Sequence, residues 1–173
     1  MIRSTYTLRE VAGIVAGCDD TDTITRLSRQ IRHWTAEEIV PTIGKKHSGT
    51  GVHRRYDTNG VRRTAITAEL VRYGITISGL DPFGEYLDGI QGSPDWDKAI
   101  KGTEIVYLGH SISDERFGVN VTSIGTIEDR NPFALMQARK NEDYGIGALD
   151  VESFASTLVI NLTKLFARLR LEE

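Results

Sequence analysis

The chain has 173 residues, enough for one ordinary domain or two small ones, and its apolar (39%) and charged (26%) fractions are those of a soluble globular protein. No apolar run approaches the roughly 20 residues that span a bilayer, and the first residues lack the order of a signal peptide, so we expect a cytoplasmic protein. The single cysteine, Cys18, excludes an intrachain disulfide and a thiolate cluster for zinc.

The formal net charge of −3 conceals an uneven distribution along the chain. Residues 1–73 carry 12 basic and 8 acidic residues, a balance of +4, whereas residues 74–173 carry 9 basic and 16 acidic residues, a balance of −7. Nine of the bases and only three acids lie between Arg26 and Arg63. We expect these bases to form one face that binds phosphates, and a solvated charged face is the alternative.

Two helices are predicted at the start of the chain. The first has apolar residues at helical spacing, with a cap at Thr7 and a stop at Gly17. The acidic stretch CDDTD then offers several N-caps to a second helix, which ends before Pro41 and Gly44. Its outer face is basic, and its apolar stripe consists of Ile24, Leu27, Ile31 and Trp34.

The next stretch, KKHSGTGVHRRYD at residues 45–57, contains almost nothing that could form a core. Its central residues SGTG favour a tight turn between two short extended arms, so the stretch predicts a ribbon on the surface. A third helix follows, with Asp57 or Thr58 as its cap and Gly74 as its stop.

Two short helices are predicted next, the first beginning at Asp81 before Pro82 and the second at Ser93 before Pro94. Gly102 closes the second of them, and the pair reads as a link between the two halves of the chain.

The remaining residues are less regular. EIVYLGHSI (104–112) and GVNVTSIGTI (118–127) are rich in β-branched residues and predict a hairpin or two sheet strands, and Pro132 predicts another short helix. Residues 150–171 fit either one long helix or a strand followed by a helix. We favour the strand and helix, because two preceding strands need further strands to be stable.

The order of helix, turn, basic helix, glycine-turned ribbon and helix within the first 77 residues describes a winged helix-turn-helix. Five motifs in that order resemble the MerR family of bacterial transcription regulators: YTLREVA (6–12), QIRHW (30–34), Pro41, VHRRY (52–56) and VRYGITI (71–77). The likeness covers roughly residues 5–78. Glu38 stands where the family has a glycine, and residues 79–103, broken by proline and glycine, cannot form the family's long dimerisation helix.

The resemblance implies roles for individual residues. Arg32 and Trp34 would meet phosphates, and Trp34 would also pack under the wing. Arg54 and Tyr56 would clamp the DNA backbone from the wing, and core packing is the alternative for Trp34 and Tyr56. Base reading would fall to the exposed side of the second helix, at Arg26, Arg29, Gln30 and His33. The ribbon completes the predicted DNA-binding set with Lys45, Lys46, His53 and Arg55.

Catalysis and metal binding find little support. His33, His47 and His53 are close in sequence, but no cysteine or carboxylate completes a metal set. The stretch HSGTG lacks the following lysine and the preceding apolar strand of a phosphate loop. We therefore expect a protein that is not an enzyme and has no metal or cofactor.

The expected fold class is α+β. A MerR-like winged helix-turn-helix domain (1–78) is followed by a helical linker (79–103) and by a small α+β dimerisation or sensor domain (104–173), which has a short antiparallel sheet and a C-terminal helix. The terminal stretch LVINLTKLFARLRL (158–171) is the candidate dimer contact, and a place in the core of its own domain is the competing use.

The expected function is that of a sequence-specific regulator of transcription that binds double-stranded DNA as a homodimer and has no membrane partner. A small-molecule or protein effector at the C-terminal half is left open. The alternatives are an excisionase-like DNA-bending factor of a phage or mobile element, and a protein-interaction module on the same fold.

Overall fold

The computed structural model describes residues 5–44, 54–113, 121–126 and 154–171. Its contacts divide the chain into two compact units, one of Met1–Gln91 with Leu165–Glu173 and the other of Gly92–Lys164. The described residues form six helices and two antiparallel sheets. This confirms the expected α+β class. No described helix is long and apolar enough to cross a membrane.

The first unit opens with strand β1 (Tyr6–Thr7) and helix α1 (Leu8–Ala16). Thr7 and Glu10 form a capping box at the start of α1. The amide of Thr7 donates to Glu10 Oε2 at 2.7 Å, and the amide of Glu10 donates to the Thr7 hydroxyl at 3.4 Å. The predicted cap at Thr7 is therefore confirmed, and so is the stop at Gly17.

Helix α2 spans Thr21–Ala36 and begins at one of the predicted acidic caps. The Asp20 carboxylate accepts a hydrogen bond from the amide of Thr23 at 2.8 Å. Hydrogen bonds from the side chain and the amide of Thr23 lower the pKa of Asp20, because they stabilise its charged form.

Helix α2 ends in a Schellman motif that holds Glu38 in the left-handed conformation, with a φ of 64°. The amide of Ile39 donates to the carbonyl of Trp34 at 2.9 Å, and the amide of Glu38 donates to the carbonyl of Thr35 at 3.3 Å. Glycine is the residue usually found in this conformation, since it has no Cβ. The helix thus ends at Ala36, before Pro41. Glu38, just after the helix, carries a side chain at a position where glycine is favoured.

Strand β2 (Arg55–Tyr56) pairs antiparallel with β1, so that Tyr6 lies opposite Tyr56. An isolated antiparallel bridge also joins Ile43 to Arg55, and the amide of Ile43 donates to the carbonyl of Arg55 at 2.8 Å. Residues 45–53, the predicted tip of the ribbon, lie outside the described residues.

Helix α3 (Thr58–Arg72) starts at Asp57, the first of its two predicted caps. The Asp57 carboxylate accepts a hydrogen bond from the amide of Gly60 at 2.6 Å. Gly74 follows the helix with a φ of 90°, and the predicted stop there is confirmed. Most of the length of α3 is buried, including Val61, Ile66 and Leu70.

Helix α4 spans Ile77–Ile90 and therefore includes Asp81 and Pro82. The prediction that a helix starts at Asp81 is wrong. Proline deletes one backbone hydrogen bond in the second turn, and the buried Leu80 and Leu87 supply packing that outweighs this loss. By its contacts α4 belongs to the first unit, although the sequence analysis placed residues 79–103 in a linker.

The second unit contains helix α5 (Pro94–Lys101), capped by Ser93 as predicted, and a three-stranded antiparallel sheet. The central strand is β3 (Val106–Ser113), which pairs with β4 (Val121–Thr126) on one side and β5 (Phe154–Asn161) on the other. The predicted strands are therefore confirmed. The short helix predicted at Pro132 lies outside the described residues.

Helix α6 (Leu162–Leu169) follows β5 directly, which confirms the choice of a strand and then a helix for the end of the chain. Leu165, Phe166 and Leu169 are buried by the chain itself, and this part of the helix belongs to the first unit. The end of this apolar edge therefore packs in the first unit and not in the core of the 104–173 domain, which was the competing use named above. Its role as a dimer contact stays a prediction.

Candidate nucleic-acid interface

Helix α2 presents two neighbouring polar stripes to solvent. The first stripe, called the Arg29 stripe, consists of Thr25, Arg29 and Arg32. These residues are spaced four and three positions apart and therefore share one side of the helix. The second stripe, called the Gln30 stripe, has the same spacing but begins one residue later. It therefore lies about 100° around the helix axis from the Arg29 stripe. It consists of Arg26, Gln30 and His33, and all six side chains of the two stripes are exposed.

The Arg29 stripe lines an open cavity of about 780 Å³ in the first unit. The start of α1 and Arg54, the residue before β2, line it as well. Among the described residues, the lining contains four arginines and no acidic side chain. The lining residues are Thr7, Leu8, Arg9, Ile24, Thr25, Ser28, Arg29, Arg32 and Arg54. A concave surface with this charge has a positive potential and suits an anionic ligand.

Arg54 connects the β2 segment to α2. Its Nη1 donates to the backbone carbonyl of Arg32 at 3.3 Å. Arg55, the next residue, is exposed, and Tyr56 is fully buried, as expected from the alternation of side chains along a strand. Pairing with Tyr6 and with Ile43 holds this backbone in place, so the positions of Arg54 and Arg55 are set by the sheet.

Trp34 and Tyr56 were both predicted to bind DNA, and both are core residues, with exposures of 2% and 0%. The Thr35 hydroxyl donates to the carbonyl of Ile31 at 2.8 Å, and the Tyr56 hydroxyl lies 3.2 Å from Thr35 Oγ1. Neither ring reaches the surface in this structure. The structure therefore corrects their assignment as DNA contacts and favours the packing alternative.

Arg62 and Arg63 do not belong to the exposed basic surface, with exposures of 6% and 1%. Arg62 donates to Asn59 Oδ1 at 3.0 Å, and its guanidinium lies over the ring of Phe166 at 5.7 Å from the centroid. We had expected the bases between Arg26 and Arg63 to form one face, and those that the structure describes do not. They divide into exposed arginines on α2 and β2 and two buried arginines on α3.

Arg63 connects α3 to α4. It forms an ion pair with Asp88, and its Nη2 donates to the carbonyl of Gly84 at 2.8 Å. A buried guanidinium needs such partners, because an uncompensated charge in the interior is strongly unfavourable. Arg63 therefore has a structural role that its place in the basic run did not reveal.

Three residues of the predicted set, Lys45, Lys46 and His53, lie outside the described residues. Arg9 is a cavity residue that the sequence analysis missed. It is exposed in the first turn of α1, two residues after the Thr7 cap. A basic residue at the start of a helix, where anions are favoured, was the signal that could have identified it.

Within the described ranges, no group of three His, Cys, Asp or Glu side chains could hold a metal ion. His33 lies 3.7 Å from a Glu37 carboxylate oxygen one turn further along α2, and both side chains are about half exposed. This exposed contact is a local helix pair.

No protein-family model matches the chain, and no curated protein matches it. The molecule's own geometry therefore indicates the class of site. An open cavity lined by arginines from three elements, beside a helix with two exposed polar stripes, is suited to a polyanion.

Proposed function

We propose that the protein is a sequence-specific, MerR-like transcription regulator that binds double-stranded DNA through a winged helix-turn-helix and acts as a dimer. The observation that supports this most strongly is the convergence of Arg9, Arg29, Arg32 and Arg54 around one cavity, which no acidic residue of the described ranges lines. A double helix carries one negative charge per roughly 1.7 Å of its axis, so a surface of this charge favours it.

Helix α2 is the recognition helix in this proposal. Its 16 residues span about 24 Å, and its two polar stripes are free of core packing. A major groove about 12 Å wide admits a single α-helix of this kind. The buried stripe of Ile24, Ile31 and Trp34 packs α2 against the rest of the unit and leaves the opposite side of the helix exposed.

The chain between Ile43 and Arg55 is the wing. The antiparallel bridge between these two residues brings the ends of the segment together, as in a hairpin. Arg54 and Arg55 lie at its base, and Arg54 contacts α2 through the Arg32 carbonyl; both arginines would contact phosphates next to the groove.

Dimerisation is proposed on physical grounds, because one small helix-turn-helix contacts few base pairs and a two-fold axis doubles the contacts. Helices α4 and α5 have 14 and 8 residues and are separated by residues 91–93, so neither is a long dimerisation helix. The second unit is then the candidate for dimerisation or effector binding.

Selection from a pool of random duplexes tests the function directly. We expect enrichment of a two-fold symmetric motif, with an affinity for it that falls steeply as salt rises. A variant with Arg9, Arg29, Arg32 and Arg54 all changed to Ala should lose this binding. Arg72→Ala is the matched control, since Arg72 is exposed on α3 and does not line the cavity. If the parent protein binds no duplex, both DNA-binding functions are excluded, and the protein-interaction module is the alternative that remains.

An excisionase-like factor is the second candidate, and the short α4 and α5 favour it because such a factor needs no long dimerisation helix. Both candidates use the same DNA-binding surface. Genomic footprinting separates them, because a regulator occupies promoters whereas an excisionase occupies sites beside attachment sequences. Strong DNA bending in a phased-bend gel assay would also favour the excisionase.

A further inference from the structure

We infer that the cavity is a binding site for the sugar-phosphate backbone of DNA, that Arg29 and Arg32 are phosphate contacts, and that base recognition falls to the Gln30 stripe. This inference rests on the proposed function and divides the outer side of α2 into two roles. It also reassigns Arg29, which the sequence analysis placed among the base-reading residues.

The arginines of the cavity come from three separate parts of the first unit. Arg9 lies in the first turn of α1, Arg54 lies beside β2, and the Arg29 stripe lies on α2. Base edges on the floor of a groove are reached by the one element that projects into it. A backbone strand at the rim of the groove can pass between several elements, as the geometry of this cavity requires.

The cavity also has a size and a lining that suit a phosphodiester. A volume of about 780 Å³ lies within the roughly 300–1,000 Å³ of sites that enclose small ligands, which leaves room for a phosphate with its two sugars. Guanidinium groups bind phosphate oxygens in bidentate fashion. The hydroxyls of Thr25 and Ser28, which also line the cavity, are suitable additional donors.

The start of α1 adds to the positive potential. The first amides of a helix have no intrahelical partner, and they carry the positive end of the helix dipole. The capping box engages the amides of Thr7 and Glu10, and the Glu10 carboxylate is held in that box. Leu8 and Arg9, the first two helical residues, line the cavity.

Arg54 is already placed for the same role. Its hydrogen bond to the Arg32 carbonyl positions the guanidinium against α2 and uses one of its five donors. The remaining donors suit phosphate oxygens. Arg32 thus contributes a carbonyl that orients Arg54 and a side chain that lines the same cavity.

The Gln30 stripe is left for the bases. None of its three residues lines the cavity, and all are exposed about 100° around α2 from the Arg29 stripe. Gln30 suits the paired donor and acceptor of adenine, and Arg26 suits the two acceptors of guanine.

The test compares the variants Arg29→Ala and Arg32→Ala with Gln30→Ala on three sets of duplexes: the selected duplex, its single-base variants and an unrelated duplex. A lost phosphate contact weakens binding to all of them by the same factor and lowers the salt slope by about 0.9. The affinity loss between 50 and 200 mM salt then becomes about 3.5-fold smaller for each variant. Gln30→Ala should weaken the selected duplex about 5- to 150-fold and remove the preference at one base pair.

Arg72→Ala controls for the loss of a positive charge. Arg72 lines a separate small cavity together with residues 14–17 at the end of α1. That end of α1 lies roughly 10 Å along the helix axis from Arg9. Arg72→Ala should therefore leave the salt slope of duplex binding unchanged. Arg29→Lys retains the charge and should retain most of the slope, and unchanged melting temperatures will show that all variants fold.

The inference is overturned if Arg29→Ala and Arg32→Ala weaken only the selected duplex and remove a base preference, or if they leave the salt slope at the parent value. It is also overturned if Arg72→Ala lowers the slope as much as they do. If the parent binds a selected motif but the variants behave as base readers, only this inference fails. If the parent binds no duplex at all, the proposed function fails with it.

Discussion

Arg54 donates a hydrogen bond across 3.3 Å to the backbone carbonyl of Arg32, and this contact connects the β2 segment to helix α2. The two residues are 22 positions apart in the chain, yet both line one cavity. The contact depends on the pairing of β2 with β1 and with Ile43, because that pairing fixes the backbone at residue 55.

Changing Arg54 to Ala should weaken binding to all duplexes alike and reduce the salt slope by about one unit, because Arg54 is proposed to contact phosphate and not bases. Fluorescence anisotropy over a salt series measures both quantities. Arg54→Lys retains the charge but lacks the guanidinium fork, so its affinity for duplexes should lie between those of Arg54→Ala and the parent protein. A loss confined to one target sequence would contradict this role.

Changing Glu38 to Gly should raise the free energy of unfolding by about 0.5–1 kcal/mol. The left-handed conformation costs a non-glycine residue roughly 1–2 kcal/mol, and the greater freedom of glycine in the unfolded chain offsets part of the gain. Urea unfolding followed by circular dichroism measures the change. Glu37→Gly is the matched control and should be destabilising, since Glu37 has a φ of −81°. Equal effects of the two changes would contradict the argument.

Two glycines of α4 should respond differently to alanine. Gly89→Ala should stabilise the protein by about 0.5–1 kcal/mol, because a Cβ there meets nothing within 4 Å and alanine is the better helix former. At Gly84 a Cβ would lie 3.0 Å from Nη2 of Arg63, which is held by its own partners. Gly84→Ala should therefore stabilise the protein less than Gly89→Ala does, or should destabilise it. Thermal unfolding of the two variants provides the comparison.

Removing the partner of Arg63 should be destabilising. Asp88→Ala leaves Arg63, whose side chain is 2% exposed, without its ion pair, and we expect a loss of about 1–2 kcal/mol in the free energy of unfolding. The loss is smaller than the roughly 3–5 kcal/mol of a fully buried pair, because the Asp88 side chain is 65% exposed.

The double change Arg63→Met with Asp88→Ala should recover part of that stability, since an apolar side chain of similar length needs no partner. Urea unfolding of the single and double variants measures the recovery. A double variant that is no more stable than Asp88→Ala alone would show that Arg63 contributes mainly through packing.

Local features of the sequence predicted the secondary structure well. The caps at Thr7, Asp57 and Ser93 and the stop at Gly74 depend on hydrogen bonds or backbone angles within a few residues, so a short stretch specifies them. The three strands of the second unit were likewise recognisable from β-branched composition. The start of α4 was not, because the burial of Leu80 and Leu87 outweighs the local signal at Pro82.

For the candidate site, the sequence determined which charges are available, and only the tertiary structure decided where they lie. Arg62 and Arg63 stand in the same basic run as Arg54, but packing of α3 buries them while Arg54 borders a cavity. Arg9 joins that cavity from an element remote in the chain. A sequence motif records neighbours along the backbone, whereas burial and convergence depend on contacts between distant segments, and no local pattern encodes these.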